Sequence, residues 1–267
     1  IDHQLLWVVL QLGGCCPERL AMAARIAESY GYDAINLNVG CPSKKVQLAN
    51  MGACLFKTPD IVARCLEAMK KVINIPITVK TRIGVDDWDQ FEHAVDFIEP
   101  VLAAGCDGFI IHARKAWLKG LNPAQNRSIP KLNYARVLAL QRYFSKVHMV
   151  INGGIHHYDQ GIHWLQNFPQ IMVGRQAPRQ PQLIAQLAVQ SNVPVQCAPI
   201  LRRYLNYVEG QLASTPAHHM LRHCLGLYQG YPTARYWRTK VNESMCQGRA
   251  VDFDELISLA DQYDKNI

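Results

Sequence analysis

Residues 77–82 read Ile-Thr-Val-Lys-Thr-Arg, alternating apolar and polar side chains. In a strand successive residues face opposite ways, so Ile77 and Val79 share one side while Thr78, Lys80 and Arg82 share the other. The split recurs at 34–40, where Ile35, Leu37 and Val39 oppose Asn36, Asn38 and Gly40. Val9 lies on one side with Gln11, Ile110 with His112 and Arg114, and Val150 with Asn152. Five successive strand-like segments thus carry polar groups near their C-terminal ends, on a face that a parallel sheet must cover or enclose. A β/α barrel with a polar mouth meets that demand, because such barrels collect their chemistry at the strand C-termini.

Six β-rich segments recur, predicted at 8–12, 34–39, 77–82, 108–113, 149–152 and 170–173, each followed by a helical pattern. Pro17 suits a first helical turn, Leu20, Ala23, Ala24 and Ala27 share a face, and Gly31 supplies the stop. Thr58 is expected to cap the next helix, with Pro59 in its first turn and Ile61, Val62, Cys65, Leu66 and Met69 as its stripe. Phe91, Val95, Ile98 and Leu102 repeat the device before Gly105. Strand followed by helix at each step means parallel strands, in either a doubly wound sheet or a barrel. From Ala198 onward only helical patterns remain, at 217–228 and 234–244 among others. The expected division is a barrel domain at 1–197 and a small all-helical domain at 198–267.

The chain has 267 residues, 49% of them hydrophobic and 18% charged, which fits a globular protein and excludes collagen-like or disordered material. No apolar run reaches membrane-spanning length and no secretory leader pattern opens the sequence, so a cytoplasmic location is expected. Nine cysteines without a CxxC pair point to reduced thiols and no structural metal. His156-His157 and His218-His219 are adjacent pairs whose side chains diverge in regular structure, so no metal site is expected. The formal charge of +7 inclines the chain towards polyanions. Residues 198–250 concentrate it: Arg202, Arg203, Arg222, Arg235, Arg238, Lys240 and Arg249 face only Glu209 and Glu243. Tyr236 and Trp237 lie among these cations, a mixture that suits RNA.

Cys41 follows a strand end on a loop set by Gly40 and Pro42, beside Asn38. Most lone cysteines are small buried hydrophobes, yet this position makes the thiol a candidate proton donor or nucleophile. Lys80 points into a barrel interior, where an ammonium needs an anion or an electron-rich ligand. His112 shares its side. Asn152-Gly153-Gly154 and Gly174-Arg175 end two neighbouring strands with small residues, as a barrel phosphate site requires.

These segments together resemble the tRNA-dihydrouridine synthase family. The matching stretches are LQLGG at 10–14, INLNVGCPS at 35–43, GACL at 52–55, ITVKTRIG at 77–84, FIIHARKAWLKGL at 109–121, INGGI at 151–155 and MVGR at 172–175. HARKAWL, NPAQNRSIPKLNY and the helical HHMLRHCLGLYQGYPTARYWR are similar to the A-type bacterial branch, which acts at positions 20 and 20a.

The resemblance implies a TIM (β/α)8-type flavin barrel, here with about six of eight strands because the opening corresponds to the family's third strand. A fragment or a misassigned start is expected, ahead of a truncated gene or a substitute segment. It implies FMN as cofactor, with the phosphate at Gly153, Gly154, Gly174 and Arg175, and with Gln11, Lys80, His112 and Asn152 around the ring. NADPH would be the reductant, hydride would pass from flavin N5 to uridine C6, and Cys41 would protonate C5. Asn38 would orient the pyrimidine, and Arg82, Arg114 and Lys115 would meet the substrate at the rim. Arg202, Arg203, Arg235 and Arg238 would hold the tRNA body. A monomer with tRNA as its partner is expected. The segment Gln176, Pro178 and Arg179 departs from the family's more acidic and aromatic pattern. Two other readings stay open on the sequence: a flavin-free tRNA-binding remnant, and a flavin barrel dehydrogenase acting on a free pyrimidine.

Overall fold

A computed structural model describes residues 7–248 and 253–266. Arg249, counted above among the cations, lies outside them. The six strands are β1 (Val9–Leu12), β2 (Ala34–Val39), β3 (Ile77–Arg82), β4 (Gly108–His112), β5 (Met149–Asn152) and β6 (Gln170–Met172). All pairs are parallel, and the order in the sheet is β1-β2-β3-β4-β5-β6. A doubly wound sheet reverses its strand order at a switch point, whereas a barrel wall keeps every strand beside its sequence neighbour. The observed order is that of a barrel wall. Three strands are one residue shorter than the sequence pattern: Val8 precedes β1, while Ala113 and Val173 follow β4 and β6.

The apolar side of the sheet carries Ile35, Leu37, Val39, Ile77, Val79, Phe109, Ile111, Met149 and Ile151, all fully buried. Helices α1 (Pro17–Ser29), α2 (Lys44–Leu48), α3 (Pro59–Lys70), α4 (Phe91–Ala103) and α5 (Tyr134–Tyr143) lie between the strands. Helix α1 buries Leu20, Ala24 and Ala27, and α3 buries Val62, Cys65, Leu66 and Met69, which are positions of the predicted stripes. Gly31, at φ 79°, ends α1 in the left-handed region that a side chain resists. The Thr58 hydroxyl does not cap α3; it turns back towards the Leu55 carbonyl, because a 3₁₀ turn at Gly52–Lys57 leads straight into the helix. Phe56 in that turn stacks on Phe97 of α4 at 4.9 Å, a contact worth about 0.5–1.5 kcal/mol beyond area burial.

The described chain forms two compact units, residues 1–154 with 163–172, and residues 155–162 with 173–267. The second holds α7 (Gln176–Arg179), α8 (Pro181–Ala188), α9 (Ala198–Gln211), α10 (Ala217–Leu221), α11 (Ala234–Cys246) and α12 (Asp254–Asp264); α6 (Tyr158–Leu165) precedes β6 in the chain. The boundary expected at 198 is where the strand pattern stops. The compact unit takes in the earlier α7 and α8 too, although its apolar cluster begins at Cys197 and is centred on Trp237, Tyr228 and Leu221. The single helix expected at 217–228 is broken: α10 ends at Leu221 and a 3₁₀ turn follows at Arg222–Cys224. Gly226 lies in the turn beyond them, consistent with its low helix preference.

Candidate active site

Strand register decides which polar residues meet. Gln11 pairs with Asn36 and Asn36 with Thr78; Asn38 pairs with Lys80; Arg82 pairs with His112 and His112 with Asn152. Partners in register face the same side of a sheet, so these residues form three rows on the face opposite the helix-covered core. Hydrogen bonds run along the first row and tie it to the second. Gln11 Nε2 donates to Asn36 Oδ1 at 2.7 Å, Asn36 Nδ2 to Thr78 Oγ1 at 2.9 Å, and Asn38 Nδ2 to Gln11 Oε1 at 2.8 Å.

Asn38 also reaches the next loop. Its Oδ1 accepts from the backbone N–H groups of Gly40 and Cys41, both at 3.0 Å, fixing the chain as it leaves β2. Ala53 N–H donates to the Cys41 carbonyl at 2.9 Å. Gly52 has φ +72°, and a Cβ there would lie 2.5 Å from that carbonyl oxygen. A cavity of about 150 Å³ is lined by Gln11, Asn38 and Cys41, with Gly13 and Gly52. Arg82 is 5% exposed; Nε donates to the Gly40 carbonyl at 3.2 Å and Nη1 to the Asn126 carbonyl at 3.1 Å. Its fork ties the Cys41 loop to the long segment after β4.

Lys80 is partly buried, and among the described residues no carboxylate pairs with it. Burial brings its ammonium down to about 8; repulsion from Arg82 adds to this, and attraction from Cys41 opposes it. Burial likewise lowers Arg82, to about 10. The far end of the row is built from small residues. Gly153 has φ +108°, and a Cβ there would stand 3.1 Å from His112 Nε2. Tyr134 Oη donates to the Gly153 carbonyl at 2.7 Å, and Asn152 Nδ2 to the Met172 carbonyl at 2.8 Å. One ammonium, several amides, an imidazole and a side-chain-free backbone turn make a donor set suited to a flat, electron-rich heterocycle bearing a phosphate. A flavin fits it.

Of the remaining sequence candidates, Arg114 and Lys115 have partners of their own in the loop after β4, and the others lie in the second unit. Lys115 ion-pairs with Asp89 at 2.9 Å and lies 4.4 Å over the Trp117 ring, while Arg114 donates to the Pro130 carbonyl. Gly174 and Arg175 belong to the second unit, Arg175 at the N-cap of α7. There Arg202 pairs with Asp261, Arg238 donates to Gln229 Oε1 at 2.8 Å, and Arg203 and Arg235 are exposed. Among the described residues no group of three or more His, Cys, Asp or Glu is placed to hold a metal, and no helix is long and apolar enough to cross a membrane.

Sequence reasoning missed the supports. Gln47 Nε2 donates to the carbonyls of Pro42 at 2.8 Å and Leu118 at 3.0 Å, clasping two loops. Fully buried Asn126 accepts from Trp117 N–H at 2.7 Å and returns a bond to its carbonyl at 2.9 Å. A glutamine three residues into a helix carries no local signal for such a bond. Gln47→Ala strands two carbonyls at a cost of about 1–3 kcal/mol. Amide exchange in 40–48 and 118–122 should quicken about tenfold or more, measured by hydrogen–deuterium exchange. Unchanged protection there would show the clasp to be unimportant.

A family model described as dihydrouridine synthase matches residues 2–263. Curated relatives named tRNA-dihydrouridine(20/20a) synthase are similar along most of the chain. That of Shewanella oneidensis is 46% identical over 248 residues, covering 91% of this chain and 73% of its own. That of Vibrio parahaemolyticus is 46% identical over 249 residues, covering 91% and 76%. That of Escherichia coli K12 is 47% identical over 243 residues, covering 89% and 70%.

Proposed function

The chain belongs to the dihydrouridine synthase family, and we propose that it reduces uridine to 5,6-dihydrouridine at positions 20 and 20a of tRNA, with bound FMN and with NADPH as reductant. The observation that carries this reading is the set of registered polar rows, Gln11 to Thr78, Asn38 with Lys80, and Arg82 to Asn152, beside a loop that holds Cys41 by its backbone.

Flavin, when bound, supplies the hydride that reduces C6 of the uracil ring. Gln11, Lys80, His112 and Asn152 would bind the ring, and the open backbone of Gly153 and Gly154 the phosphate. Lys80 would keep its proton and stabilise negative charge, a role favoured by its lack of a carboxylate partner. Cys41 Sγ would donate the proton that C5 takes up, so that the ring gains one hydride and one proton. Asn38 holds Cys41 in place through Oδ1 and borders the same cavity, where it would orient the base. Arg82, with Nε and Nη1 bonded to loop carbonyls, would act by bracing the Cys41 loop. Arg114 and Lys115 would meet the RNA at the rim, and the helical unit would hold the tRNA body through its cations.

Lys80 provides a test through pH. Its lowered value means that the free protein loses this proton as pH passes about 8. A ligand that needs the ammonium should therefore bind with constant affinity below pH 8 and progressively more weakly above it. Lys80→Gln should weaken FMN roughly 10–100-fold, the worth of a charged hydrogen bond, and flatten the pH dependence. Spectral titration with FMN from pH 6.5 to 9.5 measures both. A protein that takes up no FMN, or a Lys80→Gln variant with the wild-type profile, would overturn the assignment.

A further inference from the structure

Arg82 is buried, and among the described residues no carboxylate pairs with it. A buried charge needs partners, and here they are three backbone carbonyls. Nε donates to Gly40 at 3.2 Å, and Nη1 donates to Asn126 at 3.1 Å and to Lys115 at 3.4 Å. Gly40 immediately precedes Cys41, whereas Lys115 and Asn126 belong to the segment after β4. The place of the guanidinium, and so of the loop it holds, depends on where that segment puts its carbonyls.

One side chain shapes the segment. Asn126 is fully buried and bonded at both ends of its amide. Oδ1 accepts from Trp117 N–H at 2.7 Å, while Nδ2 donates to the Trp117 carbonyl at 2.9 Å and to those of Leu121 and Asn122 at 3.3 Å. The reciprocal pair with Trp117 closes residues 117–126 on themselves. A carboxamide presents one acceptor and two donor hydrogens from a single plane, which is the set this loop takes up. The residue whose side chain draws the loop together is thus the residue whose carbonyl meets Arg82.

We propose that Asn126 is a positioning residue for the proton transfer assigned to Cys41: its side chain shapes residues 117–126, its carbonyl places Arg82, and Arg82 places Gly40 and the thiol that follows. The proposal rests on the reading of Cys41 as the proton donor to C5. A lesion at residue 126 should then be felt in one half of the reaction. Reduction of the flavin by NADPH does not call on the thiol, whereas formation of dihydrouridine does.

The test follows the two halves separately in the FMN-loaded protein. In Asn126→Ala, loss of yellow absorbance with NADPH should proceed at the wild-type rate. Dihydrouridine formed in a single turnover by the pre-reduced protein at saturating tRNA should appear roughly 10–100-fold more slowly, the loss that a misplaced reacting group brings. Asn126→Asp keeps an acceptor for Trp117 N–H and loses the donated bonds, so it should show the same split to a smaller extent, and it carries the test where the alanine variant does not fold. In a Cys41→Ala background, Asn126→Ala should slow dihydrouridine formation no further, because the group it positions is already gone. Amide exchange gives a readout apart from turnover: the Gly40 and Cys41 N–H groups, held by Asn38 Oδ1 at 3.0 Å, should exchange faster in the Asn126 variant. A wild-type single-turnover rate in the Asn126 variants, equal slowing of both halves, an undiminished further loss in the Cys41→Ala background, or unchanged exchange at Gly40 and Cys41 would each overturn the proposal. Wild-type protein that forms dihydrouridine while the Asn126 variants match it defeats this inference alone; wild-type protein that forms none defeats the functional reading as well.

Discussion

Cys41→Ala keeps its flavin and loses uridine reduction by roughly 10²–10⁴-fold, the usual worth of a positioned general acid. The two effects separate because the loop is held by the backbone of Cys41. Its N–H donates to Asn38 Oδ1 at 3.0 Å and its carbonyl accepts from Ala53 N–H at 2.9 Å. Neither bond involves sulfur, so removing Sγ leaves the loop where it was and withdraws only the proton. Bound flavin absorbance and single-turnover formation of dihydrouridine measure the two properties independently. Turnover at the wild-type rate would refute the role of Cys41; loss of flavin together with activity would mean that the thiol is structural.

Gly52→Ala damages the same loop without touching a proposed reacting group. At φ +72° a side chain is strained, and the new Cβ would press on Cys41 O at 2.5 Å and on Val46 Cγ1 at 2.7 Å. The backbone oxygen has no rotamer to escape into, so the loop must shift. The strain and the overlap together are expected to cost about 2 kcal/mol or more. Tm should fall by roughly 4–8 °C. Below that temperature kcat should fall by about tenfold or more while FMN affinity is retained, since the groups proposed to hold the flavin ring lie on β1, β3, β4 and β5. A variant with wild-type Tm and kcat would show that the loop adapts.

How much of this was legible in the sequence follows from what is local. Alternation within ITVKTR and AINLNV reads out a face directly, because side-chain direction in a strand depends on position alone, and register then brings Asn38 beside Lys80 and His112 beside Asn152. Helix stripes on α1 and α3 were legible for the same reason. What escaped depended on contacts distant in sequence. Gln47 bonds Leu118 across 71 residues, Arg82 bonds Asn126 across 44, and Tyr134 holds Gly153 across 19. The broken helix at 217–228 shows the converse limit, because its apolar spacing is helical while Gly226 must fit against the Pro178 and Arg179 carbonyls. The cation count in the helical unit was correct in sum and silent on pairing: Arg202 meets Asp261, whereas Arg179, outside the counted range, lines a hollow with Arg222 and Arg238.

Anaerobic incubation of the FMN-loaded protein with NADPH and then with unmodified tRNA bears on all of this at once. The yellow absorbance should fade with NADPH and return on addition of tRNA, with dihydrouridine mapped to positions 20 and 20a and nowhere else. Absorbance that fades and returns without dihydrouridine in the RNA, or protein that stays colourless with added FMN, would contradict the proposed seating of one flavin among Gln11, Lys80, His112 and Cys41.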